Sequence, residues 1–172
     1  MKKSVFLLSI VCLFALSAFA QTPNFSGEWS LEKGKSKLDE RQANSIESQT
    51  LKVEQTTQEV KVTVTTKNTE SQSGRRADIG GGTNTYSLDG KELNSENETQ
   101  IGKVLVKSKG EIRDSKLNLQ AIRTINNPNG EITITTREVW ELSANGKILT
   151  IKREFDSQRG KINSELIFTK KD

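Results

Sequence analysis

Arg123, Glu138 and Arg153 are ionisable side chains at positions where the surrounding alternation of the chain calls for apolar residues. One carboxylate between two guanidinium groups permits two kinds of chemistry. The three can form a structural ion-pair network, the usual requirement for charges taken off the solvent face. Alternatively, the residual charge of about +1 leaves an arginine to receive a ligand carboxylate or phosphate. Around them stand large aromatic groups: Trp29 and Trp140, which serve either as core anchors or as a wall for a ligand to stack on, then Phe155 and Tyr86. The Tyr86 hydroxyl reaches either solvent or a cavity.

Other chemistry is excluded by what the chain lacks. Its 172 residues contain no His and one Cys, Cys12. Zinc sites of the Cys/His type and the common pairs of nucleophile and base are therefore unavailable. Asp39-Glu40 lacks the carboxylate spacing of a calcium loop. Gly80-Gly81-Gly82 is followed by neither Gly-Lys-Ser/Thr nor a helix whose N-terminus could hold an anion, so it reads as a flexible entrance loop, with Arg75 and Arg76 beside it. Only carboxylate or Ser-Lys catalysis survives these exclusions, and no enzymatic activity, cofactor or metal is expected. Asn24-Phe25-Ser26 and Asn97-Glu98-Thr99 match glycosylation acceptors, relevant only in a eukaryotic host.

The elements that must position these residues are hairpins. Phe25, Gly27, Trp29 and Leu31 share one side of a first strand. Lys33 to Gln49, with few apolar residues, supports at most a short helix or an irregular lid. A reversal at Thr57-Gln58 sets Leu51 and Val53 against Val64 and Val62, and Asp89-Gly90 signals a type I′ turn pairing Tyr86 with Leu93. A reversal at Asp114-Ser115 sets Val104, Val106 and Ile112 against Ile125, Arg123 and Leu117. Asn129-Gly130 as a turn places Ile125 opposite Ile134, Arg123 opposite Thr136 and Leu119 opposite Trp140. Asn145-Gly146 places Trp140 opposite Ile151, Thr136 opposite Phe155 and Glu138 opposite Arg153, so that Arg123 lies diagonal to Glu138. Arg159-Gly160 then sets Phe155 opposite Ser164 and Ile151 opposite Phe168. All these registers keep the apolar residues on one face, which a slip of one residue would scramble. About ten strands joined by short turns with one apolar side favour an all-β, antiparallel up-and-down barrel of about 8–10 strands. Phe25, Trp29, Trp140, Ile151, Phe155 and Phe168 are expected to line its interior.

Lys2 and Lys3, the apolar run Val5 to Phe19 and the ending Ala18-Phe19-Ala20 predict a signal peptide over residues 1–20, cleaved before Gln21. The run is shorter than the roughly 20 residues that span a bilayer, so no membrane span is expected. Residues 21–172 then form a single domain, exported to the periplasm or the extracellular space. Without Lys2 and Lys3, the 26 Lys and Arg become 24 against 22 Asp and Glu, a net +2 that is no nucleic-acid footprint.

Three segments carry a resemblance: Asn24 to Leu38 (NFSGEWSLEKGKSKL), Trp140 to Phe155 (WELSANGKILTIKREF) and Ser164 to Lys171 (SELIFTKK). They resemble bacterial exported lipocalin-like proteins, and Gly27-Glu28-Trp29 matches the G-x-W of lipocalins. That resemblance implies a calycin barrel in which Trp29 plugs the closed end and stacks under a basic residue from the far end of the chain. The meander is also similar to fatty-acid-binding proteins, whose inward arginines receive ligand carboxylates. The expectation is a barrel that binds a small lipophilic ligand, apolar or amphipathic and anionic, in its lumen, with Arg123 or Arg153 at the head group. The alternative is a barrel with a filled lumen that acts through its outer surface as an inhibitor, chaperone or envelope-binding module.

Overall fold

The computed structural model describes residues 22–69, 82–99, 102–127 and 130–171. The signal-peptide expectation, Arg75-Arg76, Gly80-Gly81 and Asn129 lie outside these residues. The described chain forms ten antiparallel strands: β1 (Gly27–Leu31), β2 (Ile46–Gln55), β3 (Glu59–Asn68), β4 (Gly82–Ser87), β5 (Leu93–Thr99), β6 (Gly102–Arg113), β7 (Lys116–Asn127), β8 (Gly130–Leu142), β9 (Ile148–Ser157) and β10 (Gly160–Lys170). Their order in the sheet is β4-β3-β2-β1-β10-β9-β8-β7-β6-β5, which curls into a nearly closed barrel. The weakly apolar stretch after β1 holds one 3-10 turn (Lys33–Lys35) and a helix of six residues, α1 (Glu40–Ser45), in keeping with its composition.

Alternation builds the strands. In β7, Leu117, Leu119, Ala121 and Ile125 are buried and Asn118, Gln120, Ile122 and Thr124 between them are only partly covered. Most of the inward residues meet at the end of the barrel where β1 begins. There Phe25, Trp29, Leu51, Leu117, Trp140, Leu149, Ile151 and Phe168 pack at 0–1% exposure. Each such side chain contributes about 1.5–3 kcal/mol on leaving water, enough for a chain with so few apolar residues to depend on this end. The buried Trp29 indole donates its Nε1 hydrogen to the Phe25 carbonyl at 3.0 Å, and Lys170 Nζ lies 5.3 Å from the centre of its ring. Lys170 is thus the basic residue that the lipocalin resemblance implied.

β1 meets β10 through only three residue pairs, Trp29 with Lys170, Ser30 with Thr169 and Leu31 with Phe168. The chain beyond β1 continues the contact without forming a strand. Glu32 donates its amide to Ile167 O at 2.7 Å, Lys37 its amide to Glu165 O at 2.7 Å, and Ser36 Oγ accepts the Ile167 amide at 2.9 Å. β10 therefore has its edge covered as α1 leads into β2.

The predicted registers of three hairpins are those observed. Leu51 and Val53 oppose Val64 and Val62. Val104, Val106 and Ile112 oppose Ile125, Arg123 and Leu117, across a turn in which Asp114 and Ser115 both have positive φ. Trp140 opposes Ile151, Thr136 opposes Phe155 and Glu138 opposes Arg153.

Three expectations need correction. At two hairpins the register differs by two residues: Ile125 opposes Ile132, Arg123 opposes Ile134 and Leu119 opposes Glu138, while Phe155 opposes Ile162 and Ile151 opposes Leu166. The cause lies in Gly130 and Gly160, with φ of 116° and 109°. Each is the first residue of a strand, paired with Asn127 or Ser157, instead of the second residue of a turn. Loops of this kind place a left-handed residue after the turn proper. The third correction concerns Tyr86, which pairs with Val60, while Leu93 pairs with Ser108. Of Asp89 and Gly90 only Gly90 has positive φ, so the two-residue I′ turn does not form. The Asp89 carboxylate instead accepts Ser87 Oγ at 2.5 Å and the Lys91 amide at 3.0 Å. The Lys91 ammonium, 2.6 Å from the other carboxylate oxygen, holds the carboxyl well below the usual carboxylate range, helped by those two bonds. The ladder breaks between β4 and β5, and β4 closes on β6 instead, where Ser108 Oγ donates to Thr85 O at 2.6 Å and the Gly90 amide to Gly110 O at 3.1 Å.

Candidate functional site

The registers place a single lateral row across the inner face: Gly110, Leu119, Glu138, Arg153 and Ser164, each opposite the next on β6 through β10. Tyr86 completes it from β4, since a side chain on Gly110 would stand 3.4 Å from Tyr86 Cβ and 3.3 Å from Ser87 O. Glycine there is what lets β4 approach β6.

Glu138 is fully engaged. Its Oε1 accepts Arg153 Nε at 2.5 Å, and its Oε2 accepts Trp140 Nε1 at 2.7 Å. The Trp140 indole is 1% exposed and meets Phe25 edge-on, with ring centres 6.2 Å apart. The indole therefore offers a fixed donor, and its hydrogen finds the acceptor that burial demands. Arg153 spends only Nε on this contact. Among the described residues no hydrogen bond is made by its two terminal nitrogens, and its side chain keeps 18% of its surface accessible, against 10% for Glu138.

Arg123 lies farther along β7, between Val106 and Ile134. It is not diagonal to Glu138 as the predicted register had it, yet its guanidinium acts on the same place. Burial pushes the Tyr86 hydroxyl above its ordinary value of 10.0, the Glu138 charge adds to the rise, and Arg123 and Arg153 oppose it. Tyr86 is 6% exposed and belongs to the packed core cluster, within the field of all three charged groups. The four residues Tyr86, Arg123, Glu138 and Arg153 form one polar group with two cations and one anion.

The remaining candidates separate by depth. Trp29 and Trp140 belong to the packed end. So do Phe25, Ile151 and Phe168, which are core and do not face open lumen. Phe155 differs: it faces inward next to a second apolar cluster of Val104, Val106, Ile125 and Ile134, and it is only half-buried. Thr136 and Ile162, which flank it in the same lateral row, are half-buried too. On this side of the charged row, then, three inward side chains keep contact with solvent.

Gln49 is a buried inward polar residue that sequence reasoning missed. On β2 it shares the inward parity of Leu51 and Val53, is 5% exposed, and donates Nε2 to Thr66 Oγ1 at 2.9 Å. Its Oε1 meets no donor among the described residues. An amide two residues before the buried pair Leu51 and Val53 was the available signal.

A groove with a volume of about 840 Å³ lies on the other side of the wall. Its lining includes Gly110, Leu119, Glu138, Arg153 and Ser164 together with their immediate chain neighbours, among them Gln120, Arg137, Val139, Lys152 and Glu165. Those neighbours point outward, while the inward residues two positions away are absent from the lining. The groove therefore crosses the outer face of β6 to β10, floored by backbone between two rows of side chains. Arg137 and Glu154 across it pair at 2.7 Å, and Lys37 and Glu165 at 3.2 Å. Among the described residues no helix is long and apolar enough to cross a membrane, and no group of three or more metal-ligating side chains comes together.

No family model matches the chain, and no curated protein does. Among solved structures it is similar to the zebrafish ileal bile acid-binding protein complexed with cholic acid, at a TM-score of 0.50 and 19% identity, over 86% of this chain and 98% of that one. At that identity the likeness concerns the fold, the same barrel reached from the sheet order above.

Proposed function

We propose that the protein is an exported carrier that binds a small lipophilic anion, its head group at Arg153 and Arg123 and its apolar part against Phe155 and the cluster of Val104, Val106, Ile125 and Ile134. The observation that carries this reading is the charge balance of the inner face. The inner face holds two arginines and one carboxylate whose oxygens are both taken, and the terminal nitrogens of Arg153 remain for an acceptor. A guanidinium so placed binds carboxylates through paired hydrogen bonds. Cholic acid, the ligand held by the solved protein of similar fold, has the same chemistry of a carboxylate on an apolar skeleton. Export rests on the leader read from residues 1–20. It is tested by the mass of the protein recovered from the periplasm or medium, expected to begin at Gln21.

Ligand binding is tested by displacement of a fluorescent apolar probe with fatty acids and cholate. Displaceable binding is expected, weakened about tenfold or more in Arg153→Ala, the loss of one charge-assisted contact. No displaceable binding, or an Arg153→Ala variant altered only in stability, removes the proposal. A second reading, a module acting through its outer surface, is favoured by the groove across β6 to β10. Charge reversal at Arg137 and Lys152 separates the two, since it would abolish a protein partner's binding there and leave probe displacement unchanged.

A further inference from the structure

We infer that Glu138 sets the charge the lumen accepts, restricting it to ligands with a single negative charge, and that Trp140 is the positioning residue that keeps it in place. This rests on the ligand reading above and narrows it to a class. In many ion pairs the carboxylate can swing aside when a competing anion arrives. Here it cannot, because Oε2 is held at 2.7 Å by an indole that is itself locked in the packed end of the barrel. Oε1 at the same time covers the Nε edge of Arg153 at 2.5 Å. A ligand anion is left with the terminal nitrogens of Arg153 and with Arg123, and it must settle within a few ångströms of that fixed carboxylate.

The balance of the row then decides selectivity. With Arg123, Arg153 and Glu138 counted together, one negative charge neutralises the site, and a second has no cation left to meet. It would also lie beside the fixed Glu138 carboxylate in a place where both side chains of the pair are at least four-fifths covered, so water screens the repulsion poorly. Tyr86 is no counterweight, since its buried hydroxyl stays neutral. Alkyl carboxylates and sulfonates fit this site. Alkyl phosphates in their dianionic form do not.

The experiment compares decanoate with decyl phosphate in mildly alkaline buffer, where the phosphate carries two charges, using wild type and Glu138→Gln. In the variant the amide oxygen can still accept the Trp140 hydrogen, so the fold is expected to persist. Wild type should prefer decanoate about tenfold or more, and Glu138→Gln should reduce that preference to near unity or reverse it. Glu138→Asp, which withdraws the carboxylate from Arg153 by one methylene while keeping its charge, should retain part of the preference. It also serves if the Gln variant fails to fold. An unchanged preference in folded variants, with decanoate bound by wild type, overturns the role of Glu138 alone. Failure of both ligands to bind any form overturns the ligand reading and this inference together.

Discussion

Replacing Arg153 by Met tests how strongly the inner row is coupled. The change keeps a side chain of similar length and removes the cation, leaving Glu138 10% exposed with the Trp140 indole as its remaining partner. Breaking a fully buried pair costs about 3–5 kcal/mol, and a hydrogen bond to a charged group contributes about 1.5–3 kcal/mol. Arg153 keeps 18% of its side chain accessible, so the lower range applies, about 2 kcal/mol. Glu138→Leu should cost more, about 3–4 kcal/mol, because it strands both Arg153 and the indole hydrogen of a residue 1% exposed. In the double variant the stranded cation is gone and only the indole hydrogen is left unpaired, so the expected loss is about 2 kcal/mol, less than for Glu138→Leu alone. Urea unfolding followed by far-UV circular dichroism measures all three. A shift in midpoint with an unchanged slope marks a stability effect in a native state of the same compactness. Strict additivity, with each single change costing under about 0.5 kcal/mol, would show the pair to be solvated and refute the placement of the row.

Three further outcomes follow from the same structure. Tyr86 is the only tyrosine in the chain, and burial raises its pKa in the fold. Its contribution to stability is therefore complete below its ordinary value of 10.0 and is lost as pH rises beyond it, because the unfolded chain ionises first. An alkaline ultraviolet titration should show no tyrosinate until the protein unfolds, and Tyr86→Phe should abolish that part of the alkaline loss; a free titration near the ordinary value would place the hydroxyl in water. Gly110→Val should open the β4–β6 closure, since its Cβ would stand 2.8 Å from Leu119 Cδ2 and 3.3 Å from Ser87 O. The expected cost is about 1–3 kcal/mol, with hydrogen-exchange protection falling first in β4, whereas uniform loss across the sheet would argue against a local seam. Gln49→Leu should stabilise the ligand-free protein by about 1 kcal/mol, because it removes a buried acceptor that meets no donor; a loss of similar size would mean that the Thr66 contact outweighs it.

Which residues face inward could be read from the sequence; which of them touch could be read at three hairpins and not at the two that turn before Gly130 and Gly160. The period of two in a strand fixes parity, and a slip of two residues conserves it. Phe155 faces the lumen whether it opposes Ser164 or Ile162, so the expected face survived the shifts at Gly130 and Gly160. Partners did not survive. Arg123 moved from opposite Thr136 to opposite Ile134, which took it off the diagonal of Glu138, and the geometry of the charged group changed with it. The pairing of Glu138 with Arg153 was legible because the chain around Asn145-Gly146 turns symmetrically about that dipeptide, with Leu142 opposite Leu149. Tyr86 was misplaced for a different reason. Asp-Gly is a strong hairpin signal, but the side chain of Asp89 binds Ser87 and Lys91 locally and directs the chain out of the ladder. The role of Trp140 as donor to Glu138 was out of reach, since residues two apart on one face of a strand reveal their proximity but not the aim of an indole nitrogen.

The division of the lumen follows from side-chain size along successive rows. Next to the charged row lies the inward row Ser108, Ala121, Thr136, Phe155 and Ile162, and its first three members are small. Ser108 lies opposite Ala121, and Ala121 opposite Thr136. No set of rotamers lets such residues fill the width of a barrel to the density of a protein interior. The partial exposure of Thr136, Phe155 and Ile162 is the consequence, and it is also what makes the neighbouring row tolerable. Had these positions held Leu and Phe, Arg153 would be sealed with a single partner, and a second inward cation at Arg123 would be sealed with none but a tyrosine hydroxyl. Desolvation would then exceed what one carboxylate returns. Beside these small residues the Arg153 side chain keeps 18% of its surface in contact with solvent. The partial exposure of this row and the unneutralised charge beside it therefore depend on one another, both on the inner face of β7, β8 and β9.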